Sequence, residues 1–420
     1  MTIVHDTAQE LDLSRYIRPG DGIVCSQGTA EPLSLTEALV SQRAGFTGAR
    51  VFCGPANFSR TFQPAHADHL RFSALGGIGT LRRLAASGAL EILPCHSSAV
   101  EGLIDDGTIA SDVVLVQVSL PNERGEHSFG LVNDCLRSAI RRARVVVAEI
   151  NSSIPWTFCD APLHAHEITV AVRADRAPLE VPAAGFGEVE RRIAAHLADL
   201  IPDRATLQVG IGAIPEAVAS MLADRRDLGV HSGVITDVVA DLIEAGVVTN
   251  AYKGMDEGVA VAGALYGTRR LYNFAHRNAA VRLCPLRHTH GAAALARLRR
   301  LVSINSALEV DLSGQVNAEA VGADHMGAVG GQVDYVRAAA QAEDGLSIIA
   351  MSSVDKQGRS KIVPSLSGPV TTARSDVEIV ATEHGIARLR GMSLDERARA
   401  LVGIAAPEHR DALRRKMTGH

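Results

Sequence analysis

Five almost unbroken apolar stretches constrain this chain more than any other feature: Val113–Val118, Val145–Ile150, Leu207–Val209, Leu346–Met351 and Val377–Ala381. Each is of strand length and rich in Val and Ile. A strand with one wet face alternates apolar and polar residues, and these do not. They read as strands covered on both faces, the signature of a parallel sheet sandwiched by helices. Helical patterns lie between them. Leu136, Ala139, Ile140 and Ala143 mark one buried face, and Val189, Ile193, Leu197 and Leu200 another, with Pro202 ending the second helix. Ser34 with Glu37, and Ser393 with Glu396, have capping-box spacing.

The rest of the composition agrees. Aromatic residues are 4% and glycines number 38, so the core is aliphatic and glycine is free to mark strand-to-helix turns. With 46% hydrophobic and 21% charged residues, the chain is no disordered protein. Its net charge of −5 carries no basic patch, which argues against nucleic acid or a membrane surface as partner. The six cysteines, at 25, 53, 95, 135, 159 and 284, form no C-x-x-C pair, so neither a zinc site nor a disulfide framework is expected. No signal-like start and no membrane-length apolar run is seen, and a cytoplasmic setting is expected.

A chain of 420 residues is long enough for two domains. Residues 174–187 hold two Pro, two Gly and no helical period, which sets domains of 1–180 and 181–420. Each half carries a strand, a Gly turn, a Pro and a helix, near residues 24 and 207, which hints at duplication.

The stretch Gln208–Pro215, Q-V-G-I-G-A-I-P, follows a strand directly. Gly210 and Gly212 allow a tight turn whose N–H groups face a ligand, and Pro215 suits the first helical turn. Such a turn favours a phosphate or a developing oxyanion, or it is simply a structural turn. It is no dinucleotide fingerprint, since the third Gly is missing. Gly327–Tyr335 is a second glycine-dense turn open to the same two readings. His127, in N-E-R-G-E-H-S-F-G, is an acid–base candidate or part of a solvated turn. His164 and His166 lack a third partner at metal-ligand spacing, so no metal is expected.

Taken together, several segments resemble the acetyl-CoA hydrolase/4-hydroxybutyrate CoA-transferase family. They are GTAEP at Gly28–Pro32, VSLPNERGEHSFG at Val118–Gly130, EINSSIP at Glu149–Pro155, QVGIGAIPEAV from Gln208, GVVTNAYK at Gly246–Lys253, INSALEVDLSGQVNAE at Ile304–Glu319, GGQVDY at Gly330–Tyr335 and TEHGIARLRG at Thr382–Gly391. The resemblance implies two similar open α/β domains of the CoA-transferase fold with the active site between them. It implies coenzyme A, as an acyl-CoA thioester, for substrate, with an acyl carrier protein as the other source of the same pantetheine arm. It also implies a homo-oligomer, commonly a dimer. Carried over by motif, Gln208, Gly210, Gly212, Ile214, Asn305, Gly330 and Gly331 are the expected substrate-binding residues.

The family's chemistry uses a glutamate that attacks the thioester, in a segment like G-I-H-T-E-M-x-S-D-G. The matching segment here is Gly229–Val238, G-V-H-S-G-V-I-T-D-V. His231 and Asp237 fit it, and Gly233 stands where the glutamate is expected. Glycine has no side chain and so no nucleophile. In the segment Ile154–Asp160, Trp156 replaces a usual Arg and Cys159 a usual Gly, which points to an apolar acyl wall. At Gln341–Gly345 the family's S-K-G-G is absent, a change that fits loop drift. The expected chemistry is transfer of the acyl group directly to water or another small nucleophile, with His231 or Asp237 as base. The alternatives are enolate chemistry on the thioester (decarboxylation, dehydration or isomerisation, with Cys159 or His231 as acid or base) and a CoA-binding homologue without catalysis.

Overall fold

A computed structural model describes residues 3–417, and the chain divides into two compact units. The first comprises Met1–Pro182, Val261–Thr289 and His325–Gly330; the second comprises Ala183–Ala260, His290–Asp324 and Gly331–His420. The main division thus falls at Pro182, inside the irregular Pro- and Gly-bearing stretch, but two later segments group with the first unit. The sequence alone placed both in a continuous second half. The first of them has no Pro/Gly-rich linker at its ends, and the glycines of the second read as a local turn, so composition gives no sign of the exchange.

The first unit is built on eight strands in the order Ile3–His5, Val170–Ala174, Val145–Asn151, Val113–Val118, Gly22–Cys25, Arg50–Phe52, Arg71–Ala74 and Leu90–Ile92. Every neighbouring pair is parallel. The apolar runs explain themselves here. Val113, Leu115, Val145 and Val147 enter one core on one face of the sheet. Val114, Val116, Val118, Val146 and Ala148 enter a second core on the other. Alternate side chains of a strand point to opposite faces, so two buried faces demand an apolar residue at nearly every position.

In the second unit, Gly229–Ile235, Thr206–Val209, Leu301–Ser306, Leu346–Ala350 and Ile379–Thr382 follow one another across a sheet, with Gly385–Arg388 antiparallel at its edge. The helices that cover it follow the apolar spacing. Glu188–Ala198 buries Ile193, Ala194, Leu197 and Ala198. Val189, expected on that face, is instead 37% exposed in the first turn, and Leu200 lies past the helix end.

The two capping boxes part company. Ser393 caps the helix Leu394–Ile404, and Glu396 accepts from its backbone N at 2.8 Å. Ser34 does not cap. The helix begins at Leu33, the Ser34 N–H donates to Glu149 Oε2 at 2.7 Å, and Glu37 instead pairs with Arg176. A buried carboxylate from the neighbouring strand satisfies the helix start in place of the local serine. Among the described residues no helix is long and apolar enough to cross a membrane.

Candidate functional site

In an open parallel sheet, ligands sit at the carboxyl ends of the strands. In the second unit this edge gathers most of the expected site residues. Thr206–Val209 pairs with Leu301–Ser306 so that Gln208 lies beside Ser303. The buried Gln208 amide meets Asn305 in a two-way exchange: Asn305 Nδ2 donates to Gln208 Oε1 at 3.1 Å, and Gln208 Nε2 donates to Asn305 Oδ1 at 3.5 Å. Two residues far apart in sequence thus form one polar floor. Past the strand, Gly212 takes φ +118°, a conformation that side chains rarely adopt, and space around it is open. No side chain caps the helix Ala213–Ser220 that follows, with Ile214 half-buried and Pro215 buried in its first turn. A Cβ on Gly210 would meet nothing closer than 3.9 Å, so that glycine is required neither by crowding nor by a positive φ.

The strand Gly229–Ile235 is fixed from inside. A Cβ on Gly229 would overlap the Lys253 side chain at 2.4 Å. Lys253 is fully buried, and its Nζ donates to the carbonyls of Val230 at 2.9 Å and Val259 at 2.6 Å. His231 has no exposed surface. Ser232 Oγ ties the strand to its neighbour by donating to Val209 O at 3.0 Å. Asp237 opens the helix Asp237–Glu244, where negative charge is favoured. Burial, and secondarily the Asp237 charge, raises the Glu216 carboxyl above its ordinary range.

Gly233 borders a residue that sequence reasoning missed. A Cβ on Gly233 would stand 3.2 Å from Nε2 and Cε1 of His290. A Cβ on Gly331 would come within 2.4 Å of Nε2 and Cδ2 of the same ring. Tyr335, from the helix Gln332–Gln341, packs on that imidazole edge to face, with ring centres 4.9 Å apart. His290 is 7% exposed, and burial pushes its pKa down to about 4, so the ring is neutral at pH 7. Its local sequence, H-T-H-G, matches no catalytic pattern. The only sequence signal is indirect: two glycines, at 233 and 331, that make room for one ring.

The remaining candidates belong to the first unit. Trp156 packs edge to face on Phe158 at 5.4 Å, and its backbone N donates to His276 Nδ1 at 3.1 Å. Burial raises the Cys159 thiol to about 11, which leaves it protonated at neutral pH, unlike a reactive cysteine. Gly330 takes φ +55°, and its carbonyl accepts from Ser97 N at 2.9 Å. His127 is buried with Nδ1 2.8 Å from Ser119 O, at the end of the Asn122–Glu126 turn. His164 and His166 stack ring on ring at 5.4 Å. Among the described residues, no three or more His, Cys, Asp or Glu side chains gather as a metal would require.

Comparison with known proteins gives this arrangement its setting. Residues 7–181 match the acetyl-CoA hydrolase/transferase N-terminal domain, and residues 267–417 match the C-terminal domain. The chain is 37% identical over 398 residues to a 4-hydroxybutyrate coenzyme A transferase of Clostridium kluyveri, covering 93% of this chain and 92% of that one. The crystal structure of RipA from Yersinia pestis superimposes with a TM-score of 0.92 at 29% identity, covering 99% of this chain and 97% of that one. A 4-hydroxybutyrate CoA-transferase from Porphyromonas gingivalis does so with a TM-score of 0.83 at 32% identity, with coverage of 99% and 97%. Matches over nearly the full length, on a sheet whose strand ends carry the Q-V-G-I-G-A-I-P turn and the Asn305 amide, place the chain in the acetyl-CoA hydrolase/transferase family, enzymes whose substrate is a CoA thioester.

Proposed function

We propose that this enzyme transfers the acyl group of a CoA thioester directly to water or another small nucleophile, hydrolysis being its simplest form. The observation that carries the reading is Gly233, which stands where the family resemblance expects the glutamate. A CoA-transferase parks the acyl group and then CoA on that carboxylate, and without it CoA has no covalent route to an acceptor acid. A small nucleophile can instead enter the space that a side chain would fill. The uncapped N–H groups after Gly212 suit the oxyanion formed when the carbonyl is attacked, an interaction worth roughly 3–4 kcal/mol per well-placed donor. Trp156 favours an apolar acyl group, and free acyl-CoA is the expected form of the substrate, in a soluble homo-oligomer.

The test is product analysis. The protein is incubated with a panel of acyl-CoAs, with and without acetate, in water enriched in oxygen-18. Free CoA and singly labelled free acid, independent of acetate and with no label in any protein carboxylate, are expected. Acetyl-CoA formed only with acetate would refute the reading. A new acyl-CoA of different mass would point to enolate chemistry. Tight binding with no product would mark a non-catalytic homologue.

A further inference from the structure

Within the second unit, a cleft of about 250 Å³ is lined by three arginines from three elements. Arg337 lies on the helix Gln332–Gln341, Arg390 follows the edge strand Gly385–Arg388, and Arg397 lies on the helix Leu394–Ile404. Ser375 to Glu378, just ahead of the strand Ile379–Thr382, also line it, so the cleft is at the amino ends of the parallel strands. Gln208 and Asn305 mark the carboxyl edge of the same sheet. We propose that this cleft is a second ligand site, which binds a phosphate group carried by a small organic molecule.

Two of the arginines are held with donors to spare. Their carboxylate partners are the more buried: the Asp376 side chain is 19% exposed against 58% for Arg337, and Glu378 13% against 76% for Arg390. Each pair uses one nitrogen, Arg337 Nε on Asp376 Oδ2 at 2.9 Å and Arg390 Nη1 on Glu378 Oε1 at 3.0 Å. A guanidinium has five N–H donors, so most of each fork remains for a ligand.

Arg397 is the stronger pointer. It is half-buried, and among the described residues no carboxylate pairs with it. Its Nη1 donates to the carbonyls of Arg374 at 2.7 Å and Ser313 at 3.3 Å, and its Nε to Met392 O at 3.4 Å. These bonds fix the guanidinium and leave Nη2 with no protein partner. Burial, and then the charge of Arg374, lowers its pKa, so its surroundings disfavour the cation as it stands. Charges withdrawn from water are normally paired, and an anion in the cleft would be the missing partner. Asp395 and Glu396, in the first turn of the same helix, do not line the cleft, and Glu396 is engaged by Ser393. Three forks on three elements suit the tetrahedral oxygens of a phosphate better than a planar carboxylate, which offers two. Ala340 and Val377 give an attached organic group apolar contact.

The experiment is calorimetry on the full chain at low salt, with inorganic phosphate, glucose 6-phosphate and adenosine 5′-monophosphate as probes and malonate as a dicarboxylate control. At least one monoester is expected to bind at one site per chain with Kd below about 1 mM, more weakly as salt is added. The two monoesters tell a sugar phosphate from a nucleotide. Arg397→Gln should weaken binding roughly 10- to 100-fold, as the loss of a charged hydrogen bond does. Arg390→Gln is the second variant: Arg390 is exposed and paired only with Glu378, so the fold should survive its loss, and affinity should again fall by roughly tenfold. Saturating dephospho-CoA, which carries no phosphate monoester, should leave the affinity unchanged. No saturable binding of either monoester up to about 10 mM would overturn the proposal. So would equal affinity in wild type and both variants, malonate binding as tightly as the monoesters, or displacement by dephospho-CoA. The proposal stands apart from the direct-transfer reading, and none of these outcomes bears on that reading.

Discussion

The His290 imidazole occupies the place where a side chain on Gly331 would start, 2.4 Å from its ideal Cβ. Gly331 has φ −93°, so the backbone would accept any residue; the ring is what excludes one. Gly331→Ala must therefore displace His290. We expect a loss of about 1–3 kcal/mol in stability, as for other overpacked cores. Gly233→Ala meets the same ring at 3.2 Å, a milder contact, so it should melt within a few degrees of wild type, and under the direct-transfer reading it should lose activity by narrowing the space left open at 233. Thermal melts and thiol release on the two variants separate these effects. Equal destabilisation by both would contradict the geometry.

Gly233→Glu tests the vacant position directly. No positive φ opposes a side chain there, and the His290 ring has to yield by only a few tenths of an ångström. Transfer of CoA to an added acid should appear, with a glutamyl-CoA adduct at residue 233 visible by mass spectrometry after digestion. A folded variant with neither adduct nor transfer would mean that more than one residue separates this site from a transferase.

His290 also sets a dependence of stability on pH. Its pKa is near 4 when folded and about 6.5 when unfolded, so between these values the unfolded chain binds a proton that the native protein does not. Stability should fall as pH drops from 6.5 towards 4, by roughly 3 kcal/mol from this group. Denaturant unfolding at pH 7 and pH 4.5 should show a smaller difference for His290→Asn than for wild type.

Asp134 acts in the opposite sense. Its carboxyl is buried in the first unit, accepts from Gln27, and is raised by burial to about 7. Between pH 3.8 and 7 the native protein holds a proton that the unfolded chain gives up, so this group's contribution is present at low pH and lost as pH rises through 7. Asn copies the protonated acid and tolerates the φ of +36° at this position. Asp134→Asn should raise Tm at pH 8, by an amount equivalent to at most about 4 kcal/mol, and change little at pH 4. A lower Tm at pH 8 would show that the native carboxyl is ionised and paired.

The parts of this architecture legible in sequence are those written into local pattern. Val113–Val118 is a strand over those residues because both its faces are buried, and that leaves a mark at every position. Leu136, Ala139 and Ile140 are buried as their spacing requires. The Ser34–Glu37 box failed because Glu149, far along the chain, competes for the same N–H, and local spacing carries no record of a rival. His290 was invisible for the same reason at a larger scale. Its significance lies in its distance to two glycines on other segments, and a glycine announces that something is close without naming it. The Gln208–Asn305 amide pair was found only as two separate motif positions.

The ammonium of Lys253, sealed against Gly229 and bonded to two carbonyls, bears on how a family can change its chemistry. Opening the strand Gly229–Ile235 means stripping a charged group of its partners in a dry interior, so its amides should exchange with solvent only when the whole unit unfolds. Gly233, on which the proposed direct transfer rests, lies on this same strand. A backbone pinned in this way can take a different side chain at residue 233 with little more than a small shift of the His290 ring.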